Sequence, residues 1–134
     1  YKTFFKLKPP LRSENDRLAT IEAVRDGTID IVSSMHTPQD EESKRLPFED
    51  AASGAIGLET ILPAMLRLYH SNHLKMDQIF NAISLKPAKR LGLACGSLKH
   101  KKIADLIVFD ADKPFILNRE HLLRDLELDN FSTF

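Results

Sequence analysis

The stretch G-T-I-D-I-V-S-S-M-H-T-P-Q, residues 27–39, decides how the fold of this chain is interpreted. Gly27 is a turn residue, and the Ile- and Val-rich run over 29–34 is typical of a strand buried on both faces of a parallel sheet. Met35 follows this run directly. We therefore predict a buried strand with Met35 at its end, and Met35 is the most informative residue of the chain.

The segments before this strand predict a strand and a helix. Residues 3–8 are apolar and basic and stop at a Pro-Pro pair, which indicates a strand that ends in a rigid loop. Ser13 with Asp16 three residues later is a helix-capping pattern, and Gly27 is the natural stop of that helix. Strand, helix and strand within about 30 residues form one βαβ unit.

The segments after Met35 alternate between polar and apolar character. Residues 37–44 are polar and acidic and are predicted to be a loop. Apolar residues that repeat at three and four then predict helices, and a Pro at a first turn predicts a short one. The predicted helices cover residues 57–69, 74–83 and 87–91, and the predicted strands cover 104–110 and 114–117.

The composition is that of an ordinary globular protein. Of the 134 residues, 43% are hydrophobic and 28% are charged, and the formal net charge is zero. This balance gives no reason to expect nucleic acid or a membrane as a partner, and no apolar run approaches the roughly 20 residues of a membrane span. The single Cys95 cannot form an internal disulfide, which is compatible with a cytoplasmic location. The sequence shows no signal peptide. Because it begins at Tyr1 without a Met and stops at Phe134 without a closing signal, we expect part of a longer protein.

Several segments, in order, resemble the C-terminal portion of a class I-like dihydroorotase, a member of the amidohydrolase superfamily. The resemblance spans nearly the whole chain. It rests on K-L-K-P-P-L-R-S-E (residues 6–14), D-G-T-I-D (26–30), P-F-E (47–49), G-L-E-T (57–60) and the stretch from 96 to 110, which ends A-D-L-I-V-F-D.

The resemblance implies an α/β fold, namely the C-terminal part of a TIM (β/α)8 barrel with part of a small β-domain. Residues 1–94 would hold the last strands and helices of the barrel. Residues 95–134 would return into the small composite β-domain, which is incomplete here. The expected partner is the rest of the same barrel, because a sheet edge needs cover.

The chemistry that the resemblance implies is hydrolysis of a cyclic amide, dihydroorotate to N-carbamoyl-aspartate, and its reverse in de novo pyrimidine biosynthesis. Zinc is the family metal, and it lowers the pKa of bound water into the physiological range. An Asp at the end of strand eight moves the proton to the leaving nitrogen. The metal ligands come mostly from earlier strands, so we expect none in this chain.

The family positions that fall in this chain depart from the family pattern. Strand eight typically ends Asp-His-Ala-Pro-His, and here it reads M-H-T-P-Q over 35–39. Met35 therefore stands at the catalytic Asp, Gln39 at a substrate-contacting His, and Lys8 at a substrate-contacting Asn. A thioether has no titratable proton and is at best a soft ligand. Ser53 and Gly54 align with a backbone contact to substrate, although Gly54 is equally a plain turn glycine.

Two neighbouring residues are weak candidates to replace the missing carboxylate. His36 could bind metal, but it points away from Met35 if the segment is a strand. Asp40 could fold back over the site, and a solvated acid is the simpler interpretation. The remaining histidines and the cysteine are interpreted as surface or loop residues without a catalytic signature: His70, His73, His100, His121 and Cys95.

Two functions follow from these residues. The first is a dihydroorotase, although the chain alone is predicted to be inactive. The second is a non-catalytic relative with a degenerate active site that assembles with aspartate carbamoyltransferase. A homodimer is also an open possibility. A His-x-His motif in the preceding part of the protein would favour the enzyme.

Overall fold

The computed structural model describes residues 2–101, 103–114 and 116 of the chain. A short 3₁₀ helix, Thr3–Phe5, comes first. The α-helices are α1 Glu14–Arg25, α2 Glu41–Arg45, α3 Ile61–His70, α4 Met76–Phe80 and α5 Lys86–Arg90, and a π-helical segment, Asn81–Leu85, joins the last two.

Helix α1 confirms the prediction made from its cap residues. The Ser13 hydroxyl accepts a hydrogen bond from the Asp16 amide at 3.2 Å, and the Ser13 amide donates to the Asp16 carboxylate at 3.2 Å. This reciprocal capping box satisfies amides that the first helical turn leaves without partners. The helix ends just before Gly27, whose φ of +85° is a conformation that L-residues seldom adopt.

The predicted second half is helical, with shifted boundaries. Helix α3 begins at Ile61 rather than Gly57, because the Thr60 amide donates to the Gly57 carbonyl in a separate turn. The predicted helix over 74–83 divides into α4 and the π-helical segment. Pro87 lies in the first turn of α5, as predicted.

Helix α2 corrects the prediction of a loop over residues 37–44. Asp40 is its N-cap, and its carboxylate accepts from the Ser43 amide at 2.7 Å. The helix carries acidic residues in its first turn and basic residues in its last, which complements the helix dipole. The segment E-E-S-K-R has no apolar residue, so no hydrophobic periodicity could reveal it.

The predicted strands are not confirmed in the part of the chain that the structure describes, where no residue belongs to a paired strand. A strand exists through ladder hydrogen bonds to a neighbour. The amide of Val32 instead donates to the carbonyl of Ala82, in the π-helical segment, at 3.1 Å. Of the predicted strand over 114–117, residues 115 and 117 lie outside the described residues.

The described residues divide into two compact units. The first unit contains residues 2–12 and 34–62, together with residues 114 and 116. The second contains residues 13–33 and 63–113, of which residue 102 is not described. The buried apolar side chains of the second unit come from its helices and the connection before α4: Ile21, Met65, Leu74, Ile79, Ala82 and Ala88. These units differ from the predicted division at residue 94, which stays a prediction.

The apolar stretch over 104–110 is largely exposed. The exposed fraction of Val108 is 100%, and Leu106 and Ile107 are also exposed. Phe109 is less exposed than these residues, and the centre of its ring lies 5.8 Å from the centre of the Phe80 ring. Among the described residues, no helix is both long and apolar enough to cross a membrane.

Candidate functional site

Met35 occupies an unusual backbone conformation at the centre of the candidate site. Its φ is +48°, in the left-handed region, and its side chain is 53% exposed. The Thr37 hydroxyl donates to the Met35 carbonyl at 3.1 Å and closes the turn. Asp and Asn adopt this region several times more readily than other non-glycine residues. The backbone at position 35 therefore suits a short polar side chain better than the thioether that is present.

The segment 34–39 lies directly against the backbone of residues 53–58. The Thr37 amide donates to the Ala55 carbonyl at 2.9 Å. A β-carbon on Gly54 would collide with the Thr37 carbonyl, and one on Gly57 would collide with the Ser34 carbonyl. Gly54 also has a φ of +145°. Only glycine permits this close approach of the two segments.

Gln39, Ser53 and Gly54, three of the four predicted substrate-binding residues, are brought together. The Gln39 side-chain amide donates to the Ser53 carbonyl at 3.3 Å, in a partly buried position. Gly54 adjoins this contact. The fourth residue, Lys8, is exposed in the same unit, and no described hydrogen bond joins it to the other three.

The ring of His36 is engaged by backbone amides. Its Nδ1 accepts from the amides of Gly57 and Leu58, each at 3.1 Å. A nitrogen that accepts carries no proton, so the neutral ring holds its proton on Nε2. Neither nitrogen then offers a free lone pair to a metal. His36 fixes the turn before α3, and this arrangement does not support it as a ligand.

The Asp40 carboxylate is likewise already engaged, because it caps α2 by accepting a hydrogen bond from the Ser43 amide. The backbone hydrogen bond from Ser43 is the main cause that lowers the pKa of its carboxyl below the usual value. A carboxylate with a lowered pKa is a weaker proton acceptor, and one that caps a helix is held in place. The structure therefore gives Asp40 a capping role.

The other side chains that sequence reasoning considered lie outside this arrangement. His70 contacts the Ala111 carbonyl through Nε2 at 2.9 Å and packs edge-on against Tyr69. Cys95 is a free, half-buried thiol. In the residues that the structure describes, no three His, Cys, Asp or Glu side chains are grouped as a metal site would require. The side chains at the candidate site thus do not fit a zinc ion.

Sequence reasoning missed Lys44, the one charged or polar side chain among the described residues that is buried, with 2% of its surface exposed. Its ammonium group donates to the carbonyls of Lys6, Ala52 and Gly54 at 3.1, 3.2 and 3.0 Å. Burial, and then the nearby charge of Lys6, lowers the pKa of Lys44. The signal available in the sequence was that α2 contains no apolar residue. In such a helix the aliphatic part of a lysine side chain can cover the inner face, so a buried lysine could have been expected.

Comparison with protein families identifies the class. Residues 7–133 match the amidohydrolase family. Because this match covers nearly the whole chain, the chain belongs to the amidohydrolase family.

The relatives within this class carry one name. The chain is 40% identical over 113 residues to a dihydroorotase of Ehrlichia chaffeensis, with 84% of this chain and 25% of that protein covered. It is 40% identical over 128 residues to a dihydroorotase of Wolbachia sp. subsp. Drosophila simulans, with 96% and 27% covered. A dihydroorotase of Ruminiclostridium cellulolyticum is 38% identical over 119 residues, with 88% and 28% covered. The predicted resemblance is confirmed, and the chain spans about a quarter of the length of these relatives.

A solved structure supports the fold. A D-hydantoinase structure aligns with a TM-score of 0.59 and 24% identity, and the alignment covers 65% of this chain and 20% of that one. About two thirds of this chain therefore shares the fold of part of a D-hydantoinase.

Proposed function

We propose that this chain is the C-terminal portion of a dihydroorotase-type protein that binds a cyclic amide of pyrimidine biosynthesis at the end of the last strands of a TIM barrel. The observation that carries the proposal is the seating of residues 34–39 on residues 53–58 through Gly54 and Gly57. The relatives at about 40% identity support the substrate class by their name.

The roles of this chain in that site are binding and orientation. The Gly54 amide donates within the protein to the Lys6 carbonyl, so the backbone groups at Ser53 and Gly54 that suit a cyclic amide are the Ser53 amide and the second lone pairs of the two carbonyls, which already accept from Gln39 and Lys44. Gln39 holds the Ser53 carbonyl at 3.3 Å and so orients this edge. Lys8, exposed in the same unit, supplies a positive charge that suits the carboxylate of dihydroorotate.

Proton transfer is the step that these residues do not provide. Met35 has no titratable proton, His36 accepts backbone hydrogen bonds through Nδ1, and Asp40 caps α2. Zinc would activate water in a complete family site, with ligands that the described residues do not supply. The described residues thus bind a substrate without catalysing its ring opening.

This observation favours a second candidate, a non-catalytic dihydroorotase-like subunit that assembles with aspartate carbamoyltransferase. A site released from catalysis would keep its backbone contacts and lose its titratable side chains, as at Met35. Both candidates are consistent with a cytoplasmic protein that forms a homodimer or a larger assembly.

The test is an assay of dihydroorotate hydrolysis and binding by a full-length protein that carries this segment, with its metal content measured by elemental analysis. Binding with turnover and stoichiometric zinc would establish the enzyme and require another group in place of the missing Asp. Binding without turnover, together with co-purification of aspartate carbamoyltransferase, would establish the second candidate. The absence of both turnover and binding would refute dihydroorotate as the proposed ligand.

A further inference from the structure

Lys44 joins three separate backbone segments at one point. Its ammonium group has three N–H donors, and three carbonyls lie within hydrogen-bonding distance: Lys6 from the segment after the 3₁₀ helix, and Ala52 and Gly54 from the connection after α2. A neutral amine has only two N–H donors and could not donate to all three carbonyls at once. The arrangement therefore uses the charged form of the side chain.

The same segments are also joined by backbone hydrogen bonds. The Gly54 amide donates to the Lys6 carbonyl at 3.0 Å, and the Ala52 amide donates to the Ser43 carbonyl at 3.0 Å. The Lys6 carbonyl thus accepts from Gly54 and from the Lys44 ammonium group together. Hydrogen bonds from a charged donor are roughly twice as strong as neutral ones. The hydrogen bonds of the Lys44 ammonium group are therefore stronger than the backbone hydrogen bonds between these segments.

Lys6 holds the earlier part of the same connection. Its ammonium group donates to the carbonyls of Phe48 and Glu49 at 2.7 and 2.9 Å and lies 5.3 Å from the centre of the Phe48 ring. Lys6 is half-buried, whereas Lys44 is buried. Of these two ammonium groups, it is that of Lys44 that donates to the carbonyls of Ala52 and Gly54, beside the residues that contact Thr37 and Gln39.

We infer that Lys44 is a positioning residue of the ligand site, whose ammonium group fixes the backbone of residues 52–54 against Thr37 and Gln39. The inference rests on the proposed function, because the substrate-facing role of Ser53 and Gly54 is part of that proposal. Lys44 does not touch the ligand in this account. It acts by setting the direction of the Ser53 and Gly54 backbone groups.

The test compares Lys44→Met with Arg45→Met in the full-length protein. Both variants remove one positive charge from α2, but Arg45 is exposed and pairs with Glu41 on its own helix. Removal of a charged donor from buried carbonyls should speed hydrogen exchange at the Ala52 and Gly54 amides about tenfold or more and weaken dihydroorotate binding by a similar factor. Arg45→Met should change neither quantity. Unchanged exchange in Lys44→Met would overturn the inference.

Chemical rescue separates an ammonium function from simple filling of space. In Lys44→Ala, added n-propylammonium should restore dihydroorotate affinity, whereas sodium at equal ionic strength should not. Equal affinities with both salts would contradict the role of the ammonium group.

The exchange measurement keeps the two proposals distinguishable. If the unmodified protein binds no dihydroorotate, the proposed function fails, and exchange at Ala52 and Gly54 still decides what Lys44 does. Should the variants fail to fold, the inference is tested in the unmodified protein by the rate at which the Lys44 ammonium protons exchange with solvent. Slow exchange supports the inference, and exchange as fast as that of exposed lysines overturns it.

Discussion

Each of the two compact units of this chain is stabilised by a different kind of internal contact. In the first unit, the segments around Met35 are joined by close backbone contacts at Gly54 and Gly57 and by the buried ammonium group of Lys44. In the second, helices α1, α3, α4 and α5 and the π-helical segment bury apolar side chains such as Ile79 and Met65. Substitutions that add side-chain atoms should therefore lower the stability of the first unit, and substitutions that remove side-chain atoms should lower that of the second.

The largest expected effect comes from removing apolar volume in the second unit. Ile79 has 0% of its surface exposed, so Ile79→Ala leaves a cavity and should lower the free energy of unfolding by about 2–5 kcal/mol. Chemical denaturation of the full-length protein measures this loss. The control is Leu18→Ala on α1, whose side chain is exposed and should change stability little. A loss below about 1 kcal/mol for Ile79→Ala would show that the apolar core does not hold this unit.

The next effect comes from adding one carbon to the first unit. Gly54→Ala places a β-carbon against the Thr37 carbonyl at a φ of +145°, and overpacking of this kind costs about 1–3 kcal/mol. Gly92→Ala is the matched control, because Gly92 also has a positive φ, +68°, but no atom within 4 Å of the added carbon. Equal losses in the two variants would mean that backbone strain, rather than the contact with Thr37, makes glycine necessary at position 54.

A smaller effect is expected at His36. His36→Ala removes the acceptor for the amides of Gly57 and Leu58 and should cost about 1 kcal/mol of unfolding free energy, since water replaces part of the interaction. His36→Asn places an amide oxygen near the position of Nδ1 and should retain most of the stability. If His36→Asn and His36→Ala lose the same amount, the Nδ1 contacts contribute nothing.

The smallest effect is a pH dependence at Asp40. Its folded pKa is lowered, mainly by the hydrogen bond from the Ser43 amide, so its stabilising contribution is present above the unfolded pKa. That contribution is lost as the pH falls through the lowered folded pKa. Asp40→Asn keeps a capping oxygen without the charge. The stability difference between the unmodified protein and Asp40→Asn should therefore be constant well above the unfolded pKa of about 4 and should shrink as the pH falls below it, as followed by thermal denaturation. A difference independent of pH would exclude the charge as its source.

The sequence predicted the second unit better than the first. Apolar residues at intervals of three and four indicate α3 and α4 directly, and Ser13 with Asp16 indicates the start of α1. These signals are local. The contact of Gly54 with Thr37 and the three carbonyls around Lys44 depend on segments up to 38 residues apart, for which a single sequence gives no local pattern.

The candidate site remains a prediction of the motif over 35–39, and the structure adds how its residues are connected. The Gln39 side chain donates to the Ser53 carbonyl beside Gly54. The positive φ of Met35 and the tautomer of His36 follow from tertiary contacts, so the sequence did not show that His36 and Asp40 are already occupied. The predicted strands require neighbours that the described residues do not provide.

In the function proposed above, the site keeps the backbone of a family active site, and Met35 stands where the side chain that moves the proton would be. The most direct test is Met35→Asp beside Met35→Asn, each assayed for dihydroorotate hydrolysis and for stability in the full-length protein. Both residues suit the left-handed conformation at position 35, so neither variant should be less stable than the unmodified protein. Only Met35→Asp supplies a carboxylate, and a positioned general acid–base group should raise turnover about a hundredfold or more above the Met35→Asn level. Equal turnover in the two variants, or full turnover in the unmodified protein, would contradict the claim.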